Sequence, residues 1–414
     1  MAIPMSSVAL RRIPSPYRAI LAICSDLDET PDRSVYWESL RFLNTTERTA
    51  MGQGVGLEIG NSIYFDMPAQ QFSYWNTDDS GRAMVRALIH SGHIDCLHSF
   101  GDLATTRVHA ERALAELSRY QCQLGVWIDH AVAPSNFDGD IMRGVGDVPG
   151  SPVYHADLTC DFGVQYVWRG RVTSVIGQNV SRSLRGIYTH RRVISSIKTV
   201  AREYVKGVLA QRGHAKYAMH GPNQVLRATQ LRDGQPVWEF LRSNPHWGGV
   251  SCGETAAGLA DVLSESMLTR LIKREGVCVL YTHLGKIKKY TEPFGPRTRE
   301  ALRRLAGLVG DGKILVASTR RVLDYCRTVS TVKFSTVQDG AVTGIDITME
   351  RQSAVSSRQV LSELSGLSFY VADPRRTQVR VNGQHMTELQ YNSPDHTGRP
   401  SISFPWRRLE LPAL

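Results

Sequence analysis

The sequence predicts an α/β fold, a parallel sheet or barrel with helices outside it, followed by a small all-β unit. Three observations carry this. Ala19-Ile20-Leu21-Ala22-Ile23-Cys24-Ser25 is a continuous apolar run of strand length, as a buried strand requires. Strand-like and helix-like stretches then alternate as far as Cys326, which favours parallel pairing under covering helices. From Val332 onward the texture changes to short alternating strands, many separated by Gly, Asn, Asp or Pro. The chain of 414 residues has room for two to three domains. It divides as a leader segment over 1–18, the α/β domain over 19–330, and a β-rich accessory domain over 331–414.

Beyond the first strand, Ile94-Asp95-Cys96-Leu97-His98 is a short strand candidate. Ala110, Ala113, Leu114, Leu117 and Gln121 recur at helical spacing in a charged segment. Gly125 to His130 reads as a strand, Leu259 to Lys273 as one amphipathic helix, and Gly276 to Tyr281 as a buried strand. Pro296 to Val309 is helical, Lys313 to Ala317 a strand, and Thr319 to Cys326 helical. In the last unit, residues 332–335, 342–348, 367–371, 378–381 and 401–404 show strand alternation. That unit is expected to pack on the main domain and leave the chemistry to it.

Hydrophobic content of 42% and charged content of 21% belong to an ordinary soluble globular protein. A net charge of +10 favours acidic or phosphorylated partners without choosing among nucleic acid, anionic polysaccharide and a membrane surface. Much of it lies in Arg169–Arg212, where ten Lys and Arg residues face only Glu203. The segment could line an anionic substrate or a phosphate-bearing surface; a solvated helix face is the alternative. With no Gly-rich phosphate loop and no DNA- or RNA-binding signature, no nucleic-acid partner is expected. Seven scattered cysteines without a CxxC pair argue against a disulfide framework and a zinc knuckle. Residues 1–15 lack the apolar stretch of a signal peptide, and no window approaches a membrane span, so the expectation is a cytoplasmic protein of undetermined oligomeric state.

Four strand ends carry residues capable of chemistry. The first is Ser25-Asp26-Leu27-Asp28-Glu29-Thr30. If the strand geometry persists, Asp26 and Asp28 project to one side, and two carboxylates forced together are costly unless a cation or shared proton relieves them. Ordinary loop capping before Thr30-Pro31 is the alternative. The second is His98-Ser99-Phe100-Gly101-Asp102. If that turn is helical, His98 and Asp102 face the same way, and with Asp28 they make an Asp/His/Asp set suited to a divalent metal with open positions. His90 and His93 are less well placed. The third is Trp127 to Phe137, where His130 and Asn136 could bind substrate while Asp129 points the opposite way. The fourth is Leu280-Tyr281-Thr282-His283, with His283 directly after a buried strand, and Tyr154-His155-Ala156-Asp157 is a fifth, weaker site.

The order of these motifs resembles the polysaccharide deacetylase (NodB-homology) superfamily, as a divergent member. Ser25-Asp26-Leu27-Asp28 is similar to the family's paired aspartates with one residue inserted. His98-Ser99-Phe100-Gly101-Asp102 is similar to its His-Ser/Thr-x-x-His with aspartate in place of the second histidine. Leu280-Tyr281-Thr282-His283 matches its late Leu-x-x-His. The family's arginine-containing motif has no clear match; Trp127 to Asn136 occupies its place. The resemblance implies a distorted (β/α) barrel of the glycoside hydrolase/deacetylase type and a divalent metal, zinc foremost. It implies that Asp28, His98 and Asp102 hold the metal, that Asp26 is the base and His283 the acid. His130 and Asn136 are then the substrate-binding residues. The activity implied is removal of acetyl groups from an acetylated carbohydrate.

Two rivals share the first motif or the scaffold. Asp26-Leu27-Asp28-Glu29-Thr30 is also similar to the DxDxT of haloacid-dehalogenase-type phosphatases, in which the first aspartate attacks phosphorus. That reading leaves His98, His130 and His283 without a role. A glycoside hydrolase using Asp26 and Asp102, and a carbohydrate-binding member without catalysis, complete the alternatives.

Overall fold

The strand Ala19–Ser25 (β1) organises the centre of the molecule, and all seven of its residues are buried. The computed structural model describes residues 8–26, 30–131, 133–188, 193–244, 255–287, 292–349 and 361–414. Around β1 lie Gly60–Ile63 (β2), Ile94–His98 (β3), Val126–Ile128 (β4), Tyr166–Trp168 (β5), Leu226–Gln230 (β6), Pro236–Phe240 (β7), Val277–Thr282 (β8) and Ile314–Val316 (β9). They form one nine-stranded sheet in the order β6-β7-β5-β4-β3-β2-β1-β8, with β9 also on β1. Every pairing is parallel except β6 with β7.

β1 pairs with β8 along nearly its whole length, from Ile20 opposite Val277 to Ser25 opposite Thr282. Its other edge is divided: β9 takes Ala19 to Leu21, and β2 takes Cys24 and Ser25. The sheet therefore splays at β1, and among the described residues no pairing joins β6 back to β8 or β9 to close a ring. Burial on both faces is why β1 reads as a continuous apolar run and not as an alternation.

Nine α-helices are described: α1 (Arg33–Asn44), α2 (Asp79–His90), α3 (Arg107–Arg119), α4 (Ala156–Phe162), α5 (Val193–Gln211), α6 (Ala256–Val262), α7 (Glu265–Arg274), α8 (Pro296–Gly310) and α9 (Thr319–Thr331). Their starts are chemically marked. Asp32 accepts from the backbone N–H of Ser34 and Val35, Asp78 from Gly81, and Pro296 opens α8. The single helix expected over 259–273 is two, because Ser264 accepts from Met267 N–H and starts α7 afresh after Leu263. α2, α3 and α4 cover one part of the sheet through Leu88, Leu97, Leu114 and Trp127; α6 to α8 cover another through Leu259, Leu268, Leu302 and Leu21. α5 is unusual: Thr199, Glu203 and Gly207 are buried, whereas Ile194, Ile197, Tyr204 and Val205 are exposed. None of the described helices is long and apolar enough to cross a membrane.

The C-terminal part builds two four-stranded sheets around a separate core that includes Ile345, Leu367, Phe369, Val379 and Ile402. One contains Lys333–Asp339 (β10), Val342–Thr348 (β11) and Thr377–Val381 (β13); the other contains Ser368–Tyr370 (β12), Gln390–Asn392 (β14) and Ser401–Ser403 (β15). The strand Ala9–Arg11, ahead of β1, pairs antiparallel with β12 and forms the edge of the second sheet. Buried Arg11 ties the join, donating to the carbonyls of Ile13 and Tyr17 and pairing with Asp395 at 3.0 Å.

Candidate functional site

The carboxyl ends of parallel strands expose backbone and side chains that no sheet face covers, and ligand sites gather there. Here Asp26, Tyr64, His98, His130 and His283 follow or end β1, β2, β3, β4 and β8. The chain turns abruptly after His98. Ser99, Phe100 and Gly101 have φ of 45°, 61° and 113°, so the segment is left-handed and not the helical turn expected over 98–102. A side chain at Gly101 would sit 2.3 Å from the Asp66 carbonyl oxygen, so only glycine fits. α3 begins later, at Arg107.

The deepest element of the site is an aspartate–histidine contact. Asp26 Oδ2 lies 3.1 Å from His98 Nε2, and both residues are buried. Ser62 donates to Asp26 Oδ1 at 2.6 Å, and Asp26 N–H donates to the Thr282 carbonyl. His98 Nδ1 lies 3.0 Å from the Ile128 carbonyl oxygen. A carbonyl only accepts, so Nδ1 carries the proton and, in the neutral ring, Nε2 presents its lone pair. Burial lowers the His98 imidazole below its ordinary value, although Asp26 pulls the other way. Burial alone would raise the Asp26 carboxyl, but His98, Arg242 and His283 together hold it well below the usual carboxylate range. With the His98 ring neutral, the carboxylate faces an imidazole lone pair and Asp26 Oδ2 accepts no well-formed hydrogen bond; only a charged ring donates to it. Two opposed acceptors at that distance are relieved by a cation between them.

A second such contact lies above the first. His130 Nδ1 is 2.8 Å from Asp102 Oδ1, and the His130 and His98 rings are 4.8 Å apart at 82°. Tyr64 stacks on His98 at 4.5 Å and meets His130 edge-on at 5.2 Å, which fixes both rings. On the far side, Tyr281 OH is 2.9 Å from His283 Nε2. Beneath lies Arg242, only 1% exposed, with its guanidinium 4.2 Å from the Trp168 ring centroid and 4.7 Å from that of Tyr281. No carboxylate among the described residues forms an ion pair with it, and Nε and Nη1 have no hydrogen-bond partner. It is a buried cation whose field falls on Asp26.

The expected residues are dispersed as follows. Asp28 lies outside the described residues. Asp102 is drawn to His130, because the left-handed turn carries it away from helical register with His98. His98, His130 and His283 all line one pocket of about 510 Å³. Asn136 is fully buried, and its amide is committed to the backbone at His130, Ala131 and Met142; it shapes the loop that carries His130. Asp129 accepts from Trp127 Nε1 and from the N–H groups of Phe137 and Asp138, with burial pushing it up to about 7 against these donors. His155 is closed off between Thr159 Oγ1 and the Ser135 carbonyl, and His93 is buried beside Ser91. Arg242 and Tyr64 were not singled out in the sequence. Arg242 had one local signal, an arginine two residues beyond an aromatic strand that ends in Phe240.

No protein-family model matches this chain, and no curated protein does either. The site must therefore be read from its own chemistry. Among the described residues no three His, Cys, Asp or Glu side chains form a group that could hold a metal ion. His98 Nε2 offers one donor to a cation, Asp26 Oδ2 stands beside it at 3.1 Å, and Asp28 is the further donor that the sequence offers.

Proposed function

We propose that this chain is a divalent-metal-dependent hydrolase that removes acetyl groups from an acetylated carbohydrate, built on an opened form of the distorted (β/α) barrel. The observation that carries the reading is the buried opposition of Asp26 Oδ2 and His98 Nε2, where His98 lines the same pocket as His130, His220 and His283. His98 Nε2 and Asp28 would hold the metal, zinc being the natural choice for imidazole with carboxylate, with Asp26 beside it. Bound there, the metal supplies Lewis acidity to a water and to the acetyl carbonyl.

The remaining steps belong to the chain's own groups. Ser62 anchors one Asp26 oxygen, and Arg242 keeps the carboxylate ionised, so the other oxygen is ready to take a proton from the attacking water. Asp102 orients His130, whose ring donates a hydrogen bond to the oxyanion. His283, steadied by Tyr281, delivers a proton to the leaving amine or alkoxide. Trp168 and Tyr281, which line the pocket, hold the Arg242 guanidinium between their rings.

The test pairs metal content with product. Purified protein should carry close to one zinc, manganese, iron or cobalt per chain and release acetate from N- or O-acetylated sugars. Phosphate release from sugar phosphates without acetate release would instead establish the phosphatase reading. Metal-free protein that binds sugar without turnover would establish the binder.

A further inference from the structure

The outer half of the same pocket has a chemistry that acetyl removal does not use. Its lining includes Arg171, Arg202, Lys206, Lys216 and Lys286 against a single carboxylate, Asp129. The cations are unevenly compensated. Arg171 is paired with Asp138 at 2.9 Å and lies 3.6 Å from Glu239. Arg202 and Lys206 share Glu203, at 3.8 and 2.9 Å. Glu203 is itself buried and also accepts from Thr173 Oγ1 and Ser174 N–H. Lys216, on the short turn Ala215–Tyr217, has no carboxylate partner among the described residues. The polar inner face of α5 thus forms a positively charged wall.

A separate observation lies at the base of that wall. His220 is 5% exposed and lines the pocket. Its Nε2 is 3.2 Å from the Val172 carbonyl oxygen, so Nε2 carries the proton and Nδ1 is left as an acceptor. Nδ1 is buried and has no hydrogen-bond partner. Burial, helped by Lys206, lowers the ring to about 4, so it is neutral at physiological pH. A buried, unmatched acceptor beside surplus cations is matched by a group that is anionic and carries an O–H donor next to the charge.

We infer that the outer subsite, with Lys216, Lys206 and Arg202 around His220 Nδ1, binds an oxyanion of an acidic sugar, a carboxylate or phosphoryl group with a hydroxyl beside it. The inference rests on the carbohydrate reading of the pocket and narrows its substrate to acidic sugars.

Calorimetric titration of the full chain tests it without requiring turnover. The probes are N-acetylglucosamine, its uronic acid, its 6-phosphate and inorganic phosphate. One or both acidic sugars should bind about tenfold or more tightly than the neutral sugar, and raised salt should erode the difference. Whichever acidic sugar binds more tightly identifies the source of the oxyanion. Lys216→Met, on a half-exposed turn, should weaken the acidic sugar about three- to tenfold and leave the neutral sugar unchanged. His220→Phe should weaken the acidic sugar more than it weakens inorganic phosphate. Equal affinity for neutral and acidic sugars overturns the inference while leaving the carbohydrate reading in place. Equal loss of both ligands in Lys216→Met also overturns it. Phosphate binding as tight as that of the acidic sugars, with no sugar preference, keeps the anion site but removes the carbohydrate reading. No binding of any probe overturns both.

Discussion

The same two side chains, an aspartate and a histidine, meet twice within a few ångströms, and their surroundings differ in every other respect. In the inner pair, Asp26 and His98 are 0% and 2% exposed and 3.1 Å apart. In the outer pair, Asp102 and His130 are 41% and 16% exposed and 2.8 Å apart. The inner histidine is locked by a backbone carbonyl on Nδ1 and turns its lone pair to the carboxylate; the outer histidine turns Nδ1 itself to its carboxylate. Burial makes the inner contact an acceptor pair in need of a cation. Solvent at Asp102 makes the outer one an ordinary orienting contact, screened and individually weak. Pair identity therefore says little about role; burial and the partner of the second ring nitrogen decide it.

The comparison is broken most severely at Asp26. Asp26→Asn keeps the shape and the Ser62 contact but removes the charge, and turnover should fall about 10³-fold with the fold intact by circular dichroism. A loss of less than threefold would strip the inner pair of its catalytic role. His130→Ala should lower kcat about 10²-fold, as expected for an oxyanion donor, with metal content unchanged. Asp102→Asn should cost only about tenfold, because the contact it removes is half solvated. If Asp102→Asn proves as damaging as Asp26→Asn, the distinction between the pairs is lost.

Two smaller effects follow from protons. Arg242→Met keeps the stack between Trp168 and Tyr281 while removing the cation, so the Asp26 carboxyl should rise and the acid limb of the pH–rate profile should move to higher pH. Stability should also fall in acid. His93, His155 and His220 are each lowered to about 4 by burial. Between pH 6.5 and 4 the unfolded chain binds protons that the folded one refuses. Stability is thus fully present above pH 6.5 and declines as pH falls, by about 1.4 kcal/mol per pH unit for each such proton. Asp129, pushed up to about 7 by burial, and Asp95, pushed up to about 6, act in the opposite sense and offset part of this loss. Denaturant melts at pH 7 and pH 5 read the net effect; a midpoint that does not fall at pH 5 would show that the histidine contribution does not prevail.

Much of the frame was legible because its causes are local. A seven-residue apolar run does not alternate when both faces are covered, and β1 shows this. Helical spacing at Ala110, Ala113, Leu114 and Leu117 marks the buried stripe of α3. β11 spans the 342–348 read from alternation alone. His98, His130 and His283 stood out because each ends or follows a strand, and strand ends converge wherever the sheet is parallel. Gln121 fell outside α3, where a left-handed φ of 54° ends the helical stretch.

What the sequence by itself determined is that β1, β3, β4, β8 and β9 are strands and α3, α8 and α9 helices, and that histidines and aspartates stand at strand ends, because burial and periodicity act over neighbouring residues. Only the tertiary structure decided the partners. The left-handed turn at 99–101 sent Asp102 to His130, packing drove Arg242 between two aromatic rings beneath Asp26, and the split edge of β1 left the sheet open. Those outcomes depend on contacts between residues dozens to hundreds of positions apart, and no local pattern encodes a contact whose energy exists only once the chain has closed.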